Sequence, residues 1–151
     1  MIEGEQVPSF LLVDGNNILH AWEDLRPALR QGVERARAEL IRRLVDWSDD
    51  ADERLVLVFD GGRKSQREEQ RQSGIQVIFG SAGETADVVI ERLVSKYAGT
   101  YRLIVATDDR SVGELAAAAG AETLSSIGLH QLLASGARHR SEWLRKHRRK
   151  E

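Results

Sequence analysis

Hydrophobic residues are grouped along this chain in two ways, and each predicts a different element. Phe10-Leu11-Leu12-Val13, Leu55-Val56-Leu57-Val58-Phe59 and Leu103-Ile104-Val105-Ala106 are unbroken apolar runs of strand length, the pattern of strands buried on both faces. Each run is stopped by aspartate among turn-forming residues: Asp14-Gly15-Asn16-Asn17, Asp60-Gly61-Gly62 and Thr107-Asp108-Asp109. Shorter runs at Ile75 to Phe79 and Glu122 to Leu124 predict two further strands, the first at a sheet edge because it is brief. Between the strands the period lengthens. Val33, Ala36, Leu40, Ile41, Leu44 and Val45 fall at helix spacing, as do Ala86, Val89, Ile90, Leu93, Val94 and Tyr97. Ser111-Val112-Gly113-Glu114 has the form of a capping box opening a third helix through Leu115 and Ala119, and a fourth is expected from about Ile127 to Leu133.

Strands alternating with helices predict an α/β fold: one three-layer domain with a mostly parallel sheet and helices on both faces. No repeat, low-complexity stretch or linker divides the chain. The expected organisation is an N-terminal segment over 1–9, the domain over 10–135 and a basic C-terminal helix or tail over 136–151. The segment from Gly61 to Gly74 has no apolar pattern. It carries Arg63, Lys64, Arg67 and Arg71 and reads as an ordered lid, a mobile arm, or a short solvated helix with Glu68 and Glu69 as ion-pair partners.

Composition narrows the function classes. With 41% hydrophobic and 30% charged residues over 151 positions, the chain is an ordinary globular one. It has no cysteine, which removes disulfides and thiolate metal sites and fits a reducing compartment. The acidic N-terminus lacks a secretory signal, and no apolar stretch has the length of a membrane span, so a cytoplasmic protein is expected. The net charge of −2 conceals an asymmetry: residues 137–151 hold seven Lys/Arg against two Glu, a local +5 that leaves −7 on residues 1–136. A basic tail on an acidic body is suited to a polyanion, although a solvated terminus gives the same count.

In an open parallel sheet, sites form at the carboxyl ends of the strands, where Asp14, Asp60 and Asp109 are predicted to lie. If the first strand is flanked by the second and fourth, these carboxylates stand roughly 5 Å apart and repel one another unless a cation intervenes. Oxygen ligands and few histidines point to Mg²⁺ or Mn²⁺. Glu84, Asp87 and Glu91 are spaced to share one helix face. Asp87 is taken for the site, Glu84 is a further candidate that an N-terminal capping role explains equally well, and Glu91 is left out as solvated. Asn16 and Asn17 serve a turn, or orient a water or phosphate oxygen, and Thr107 offers a hydroxyl to the same centre. Such a site would polarise a phosphodiester and activate a water, leaving a 5′-phosphate and a 3′-hydroxyl. Arg63, Lys64, Arg67, Arg71, Arg110, Arg145 and Arg148 would then hold the nucleic-acid strand by phosphate contacts. Trp47 completes a helix stripe as packing, Trp22 is favoured as a partly buried residue over a base-stacking one, and Trp143 stands among the tail's arginines.

At four segments the chain resembles the NYN family of PIN-like nucleases, and within it the bacterial YacP-type branch. They are LLVDGNNI at 11–18, LVFDGG at 57–62, VIFGSAGETAD at 77–87 and VATDD at 105–109, and the resemblance runs from about Phe10 to Leu133. It implies a PIN-like sheet in the order 3-2-1-4-5, counted over the five predicted strands. It also implies that Asp14 is the first catalytic aspartate, Asn17 the family's asparagine, and Asp60 and Asp87 further acidic positions. In the last motif the family has a small polar residue before its aspartate. That makes Asp109 the implied functional residue, with Asp108, in the small polar slot, as a second candidate ligand. The resemblance alone implies messenger RNA as substrate and the ribosome as partner. The expectation is a metal-dependent endoribonuclease; its alternative is a PIN-like module that binds RNA or ribosomes without cutting. No G-x-G-x-x-G or Walker lysine supports a nucleotide-binding protein, and the first strand lacks the second aspartate of a haloacid-type phosphatase.

Overall fold

The computed structural model describes residues 7–135; the C-terminal tail with Trp143, Arg145 and Arg148 lies outside them. The chain runs β1 (Ser9–Asp14), α1 (Gly15–Ala21), a 3₁₀ turn (Glu23–Leu25), α2 (Arg26–Gln31), α3 (Val33–Ser48), β2 (Arg54–Phe59), β3 (Glu68–Gln72) and β4 (Ile75–Phe79). It continues through α4 (Ala86–Tyr97), β5 (Arg102–Ala106), α5 (Arg110–Ala118) and β6 (Glu122–Leu124) to a helix over residues 126–135, α6. The strands form one sheet in the order β3-β4-β2-β1-β5-β6. All neighbours are parallel except β3 and β4. The five strands expected from the sequence keep their expected order, and β3 is added outside them.

Alternate residues of each apolar run feed opposite layers, as the two-residue period of a strand requires. Leu11, Val13, Leu55, Leu57, Phe59, Ile75 and Val77 meet α1, α3 and α6 through Ile18, Leu19, Leu40, Leu44 and Leu129. Leu12, Val56, Val58, Ile78 and Val105 meet α4 and α5 through Val89, Ile90, Val94, Val112 and Ala116. Trp22 and Trp47 are both buried in the first layer, and the Trp22 indole N–H donates to the Ser126 carbonyl at 2.8 Å. Trp22 is therefore a packing residue. Among the described residues no helix is long and apolar enough to cross a membrane.

Five local expectations are corrected. The segment 61–74 is neither a helix nor a free arm: its second half is β3, hairpinned to β4 through Ser73 and Gly74, whose φ values of 48° and 93° suit a two-residue turn. The brief strand β4 is thereby interior rather than an edge. The Asp14–Asn17 segment is no turn, because β1 passes directly into α1 with Asp14 as N-cap. The third helix is capped by Asp109, not Ser111, and α4 is capped by Thr85, which leaves Glu84 in the loop before the helix rather than on its face. Ser111 and Ser81 are displaced as caps by residues whose extended backbone already points into the helix start.

The loops after β2 and β4 cross at van der Waals limits. Gly61 N–H donates to the Glu84 carbonyl at 2.7 Å and Gly80 N–H to the Phe59 carbonyl at 3.1 Å. A Cβ on Gly61 would lie 1.7 Å from the Ser81 carbonyl oxygen, whereas one on Gly62 would meet nothing within 4 Å. Gly61→Ala is accordingly expected to destabilise the protein by about 2–3 kcal/mol or more, since backbone must move, and Gly62→Ala to stay within about 0.5 kcal/mol. Urea denaturation of the two variants checks this, and equal losses would contradict the crossing.

Candidate active site

Asp14 ends the central strand and is 3% exposed. One carboxylate oxygen accepts from the Thr107 hydroxyl at 2.9 Å, and the other faces the Asn17 N–H at 3.4 Å. Burial pushes its pKa up; hydrogen bonds from Thr107, Asn17 and Asp87 oppose this, and the charge of Asp60 adds to it. Thr107 does two jobs, because its oxygen also accepts from the Asp109 N–H at 3.0 Å. The ends of β1 and β5 are thus fixed to each other through one buried hydroxyl.

Asp87, in the first turn of α4, faces both Asp14 and Asp109. Burial first, then the charges of Asp14 and Asp109 and hydrogen bonding with both, push its pKa up to about 6. Asp109 is held below the ordinary carboxylate range, chiefly by the Val112 N–H at 3.0 Å and then by the Ser111 hydroxyl at 2.8 Å. Three carboxyls therefore converge, and burial together with the two neighbouring charges makes Asp87 the most readily protonated of them. Asp60 borders this group. Its charge is felt at Asp14, while one of its oxygens accepts from the Ala86 N–H at 2.7 Å and pins the start of α4 to β2.

No three His, Asp or Glu side chains among the described residues are arranged to hold an ion by themselves. The donors present fit a hard cation that takes one or two carboxylates and keeps several waters, as Mg²⁺ does. One or two of Asp14, Asp87 and Asp109 would supply that contact.

The remaining expected residues divide by position. Asn17 accepts from the Asp108 N–H at 2.9 Å and Asn16 from the Asp60 N–H at 2.8 Å, so the two asparagines tie α1 to the strand ends on either side. Asp108 turns away from the aspartates and accepts from the N–H and hydroxyl of Ser126. Glu84 is taken by Arg67, with paired contacts of 2.8 and 2.7 Å and a further one from Arg92 at 3.4 Å. The Arg67 pairing, above all, holds its pKa down at about 2. Arg63 and Lys64 are exposed on the loop beside this pair, Lys64 bridging to Glu68 at 2.6 Å. Arg110 is exposed at the start of α5, next to Asp109. Arg71 does not join them: it stands opposite Gln76, level with Val56 and Leu12 and so two residues below Asp14. Ser126, which holds Asp108, was missed, because a serine before a helix is too common to be singled out from sequence; Ser111 was read as a cap and instead donates to Asp109.

Residues 11–151 match the YacP-like NYN domain family, and the chain belongs to that family. YacP of Bacillus subtilis is 36% identical over 84 residues, which cover 55% of this chain and 49% of that protein. The chain thus matches about half the length of this curated relative. The crystal structure of Rae1 (YacP) from Bacillus subtilis has a TM-score of 0.70 at 28% identity, covering 91% of this chain and 80% of that one. A tryptophan-to-leucine variant of it gives 0.72 at the same identity, covering 91% and 81%. The domain is therefore a PIN-like, nuclease-type one.

Because Asp87 holds its proton up to about pH 6 when folded against an ordinary 3.8, the folded state binds more protons across that interval. Stability then falls as pH rises through it, and Asp14, shifted upward too, acts with the same sign. In chelator-treated buffer the thermal midpoint is expected to drop between about pH 4.5 and 7. Asp87→Asn should remove most of that drop and melt above the native protein at about pH 7.5. A variant that melts lower there, with the slope unchanged, would contradict the crowding of the three carboxyls.

Proposed function

We propose that this chain is a metal-dependent endoribonuclease that hydrolyses RNA phosphodiester bonds at the Asp14, Asp87 and Asp109 centre, with messenger RNA on the ribosome as its substrate. The observation that supports this most is the meeting of Asp14 and Asp109 at Asp87, where burial and the neighbouring charges let Asp87 keep a proton to a higher pH than an ordinary carboxyl. Three carboxyls are gathered at the ends of β1 and β5 and the start of α4, at a cost in repulsion that folding alone does not repay. A divalent cation would replace that proton. When bound, Mg²⁺ or Mn²⁺ polarises a phosphate and lowers the pKa of water.

The chain's own residues do the rest. Thr107 aims Asp14 and favours its charged form, by donating to one oxygen of it. The Val112 N–H and Ser111 hydroxyl keep Asp109 ionised on the other side. Asp60 and Asn16 hold the third strand end in place, and Asn17 steadies the β5 end through the Asp108 N–H. In the reaction water adds to phosphorus and the bond to the 3′ oxygen breaks. The proton passes to that oxygen, leaving a 5′-phosphate and a 3′-hydroxyl. Arg63, Lys64 and Arg110 are exposed at this end of the sheet and suit backbone phosphates, which give affinity without sequence preference. Arg67 contributes by fixing the loop through Glu84. The match of residues 11–151 to the YacP-like NYN family, a nuclease-type family, supports the nuclease reading over a module that only binds.

Cleavage of a labelled RNA, free and on translating ribosomes, tests the proposal. Cutting should need Mg²⁺ or Mn²⁺, and Asp14→Asn should lower the rate by more than the roughly 10–100-fold typical of removing a group that only supports a metal ligand. Binding without cutting on either substrate would replace the enzyme by a binding module. In RNA-binding titrations Arg63→Ala and Lys64→Ala should each reduce the slope of log affinity against log salt by roughly 0.7, and an unchanged slope would remove that residue from the RNA path.

A further inference from the structure

Adjacent aspartates at the end of β5 face opposite ways, and the partners of each are distinct. Asp109 serves α5 and Asp87. Asp108 is occupied on three sides by the frame of the domain: its N–H donates to Asn17 at 2.9 Å, one carboxylate oxygen accepts from the Ser126 N–H at 2.8 Å, and the other from the Ser126 hydroxyl. Ser126 is itself 4% exposed, and its carbonyl accepts from the Trp22 indole N–H at 2.8 Å. Every polar group of Ser126 is thus taken up by the two segments flanking the site, one after β5 and one after α1.

From this we infer that Asp108 is a positioning residue and not a metal ligand: by anchoring on Ser126 at the start of α6 it sets the backbone direction that turns Asp109 towards Asp87. The inference rests on the carboxylate site proposed above. Its physical basis is the alternation of side chains along extended backbone, in which a residue held to one side forces its neighbour to the other. Asp109 has that extended backbone, with φ −68° and ψ 117°. The Asp109 N–H is fixed by Thr107 and the Asp108 N–H by Asn17, and the Asp108 carboxylate adds the side-chain tie that sets which way this segment turns. It also makes α6 part of the site's support, since Asp108 provides the acceptor for the first N–H of that helix.

The conservative substitution separates the two roles. Asn in place of Asp108 can still accept from the Ser126 N–H and can donate to the Ser126 oxygen, but it is a poor replacement for a carboxylate on a hard cation. Asp108→Asn, Asp108→Ala, Ser126→Ala and Asp108→Ala/Ser126→Ala are to be compared with Asp109→Asn in Mn²⁺-binding calorimetry, thermal denaturation and RNA cleavage. For a positioning residue, Asp108→Asn binds Mn²⁺ within about threefold of the native protein. Asp108→Ala weakens binding and lowers the cleavage rate by roughly 10–100-fold. Ser126→Ala shifts both in the same direction, and the double variant is no worse than Asp108→Ala alone. If Asp108→Asn loses Mn²⁺ affinity as fully as Asp109→Asn while Ser126→Ala is inert, Asp108 is a ligand and the inference is overturned. It is equally overturned if Asp108→Ala changes nothing. Absence of cleavage by the native protein would instead count against the nuclease reading, and the calorimetric comparison would still decide the role of Asp108.

Discussion

The structure depends on how much negative charge the end of β1 can tolerate. Asp14 is buried between its neighbours' strand ends, its charged form favoured by one hydroxyl and one backbone N–H, and the carboxyls brought up to it ionise less readily beside it. Asp87 yields by keeping its proton to about pH 6. Asp109 does not, because its own partners in α5 hold its charge. Environment thus gives three chemically alike side chains separate protonation behaviour, and the group is poised to exchange a proton for a cation. A core designed only for stability would have no reason to assemble it.

Around that centre the fold is tied by polar contacts that act on backbone rather than on a ligand. Asn16 reaches the end of β2, Asn17 the end of β5, Asp60 the start of α4, and Thr107 joins β5 to β1. Each replaces a pairing that would otherwise be lost where the strands stop. The close crossing at Gly61 and the Arg67–Glu84 pair extend the same bracing to the basic loop. These contacts explain why several polar residues of the sequence motifs are present without being placed on a reacting atom.

Much of this was legible in the sequence, for identifiable reasons. Buried parallel strands leave continuous apolar runs, and the helices facing them leave stripes, so five strands and the long helices could be read directly. The strand β3 could not, because Glu68-Glu69-Gln70-Arg71-Gln72 has no apolar residue. It is held by main-chain pairing to β4 and by a surface ladder in which Gln72 donates to Gln70 and Gln70 to Glu68. Its one local signal was Ser73-Gly74, a turn dipeptide between two paired strands. The helix α1 was hidden because its apolar residues follow the β1 run after only a Gly-Asn-Asn interruption. Side-chain direction was beyond reach as well. Asp108 and Asp109 are the same residue type side by side, and what separates them is their partners: Ser126, 18 residues away, for the first, and Ser111, Val112 and Asp87 for the second. Glu84 was drawn off by Arg67, 17 residues before it. Local spacing can place a carboxylate near a strand end, but non-local partners decide which carboxylates remain available.

The central claim is that a divalent cation takes the place of the Asp87 proton, and it is tested most directly by counting protons released on metal binding. Mn²⁺ titration at about pH 5.5, in two buffers of different ionisation enthalpy, should show close to one proton released per ion by the native protein. The release should fall towards zero by about pH 7.5 and be absent in Asp87→Asn. Binding with no proton release at the lower pH, or the same release from Asp87→Asn, would contradict the account.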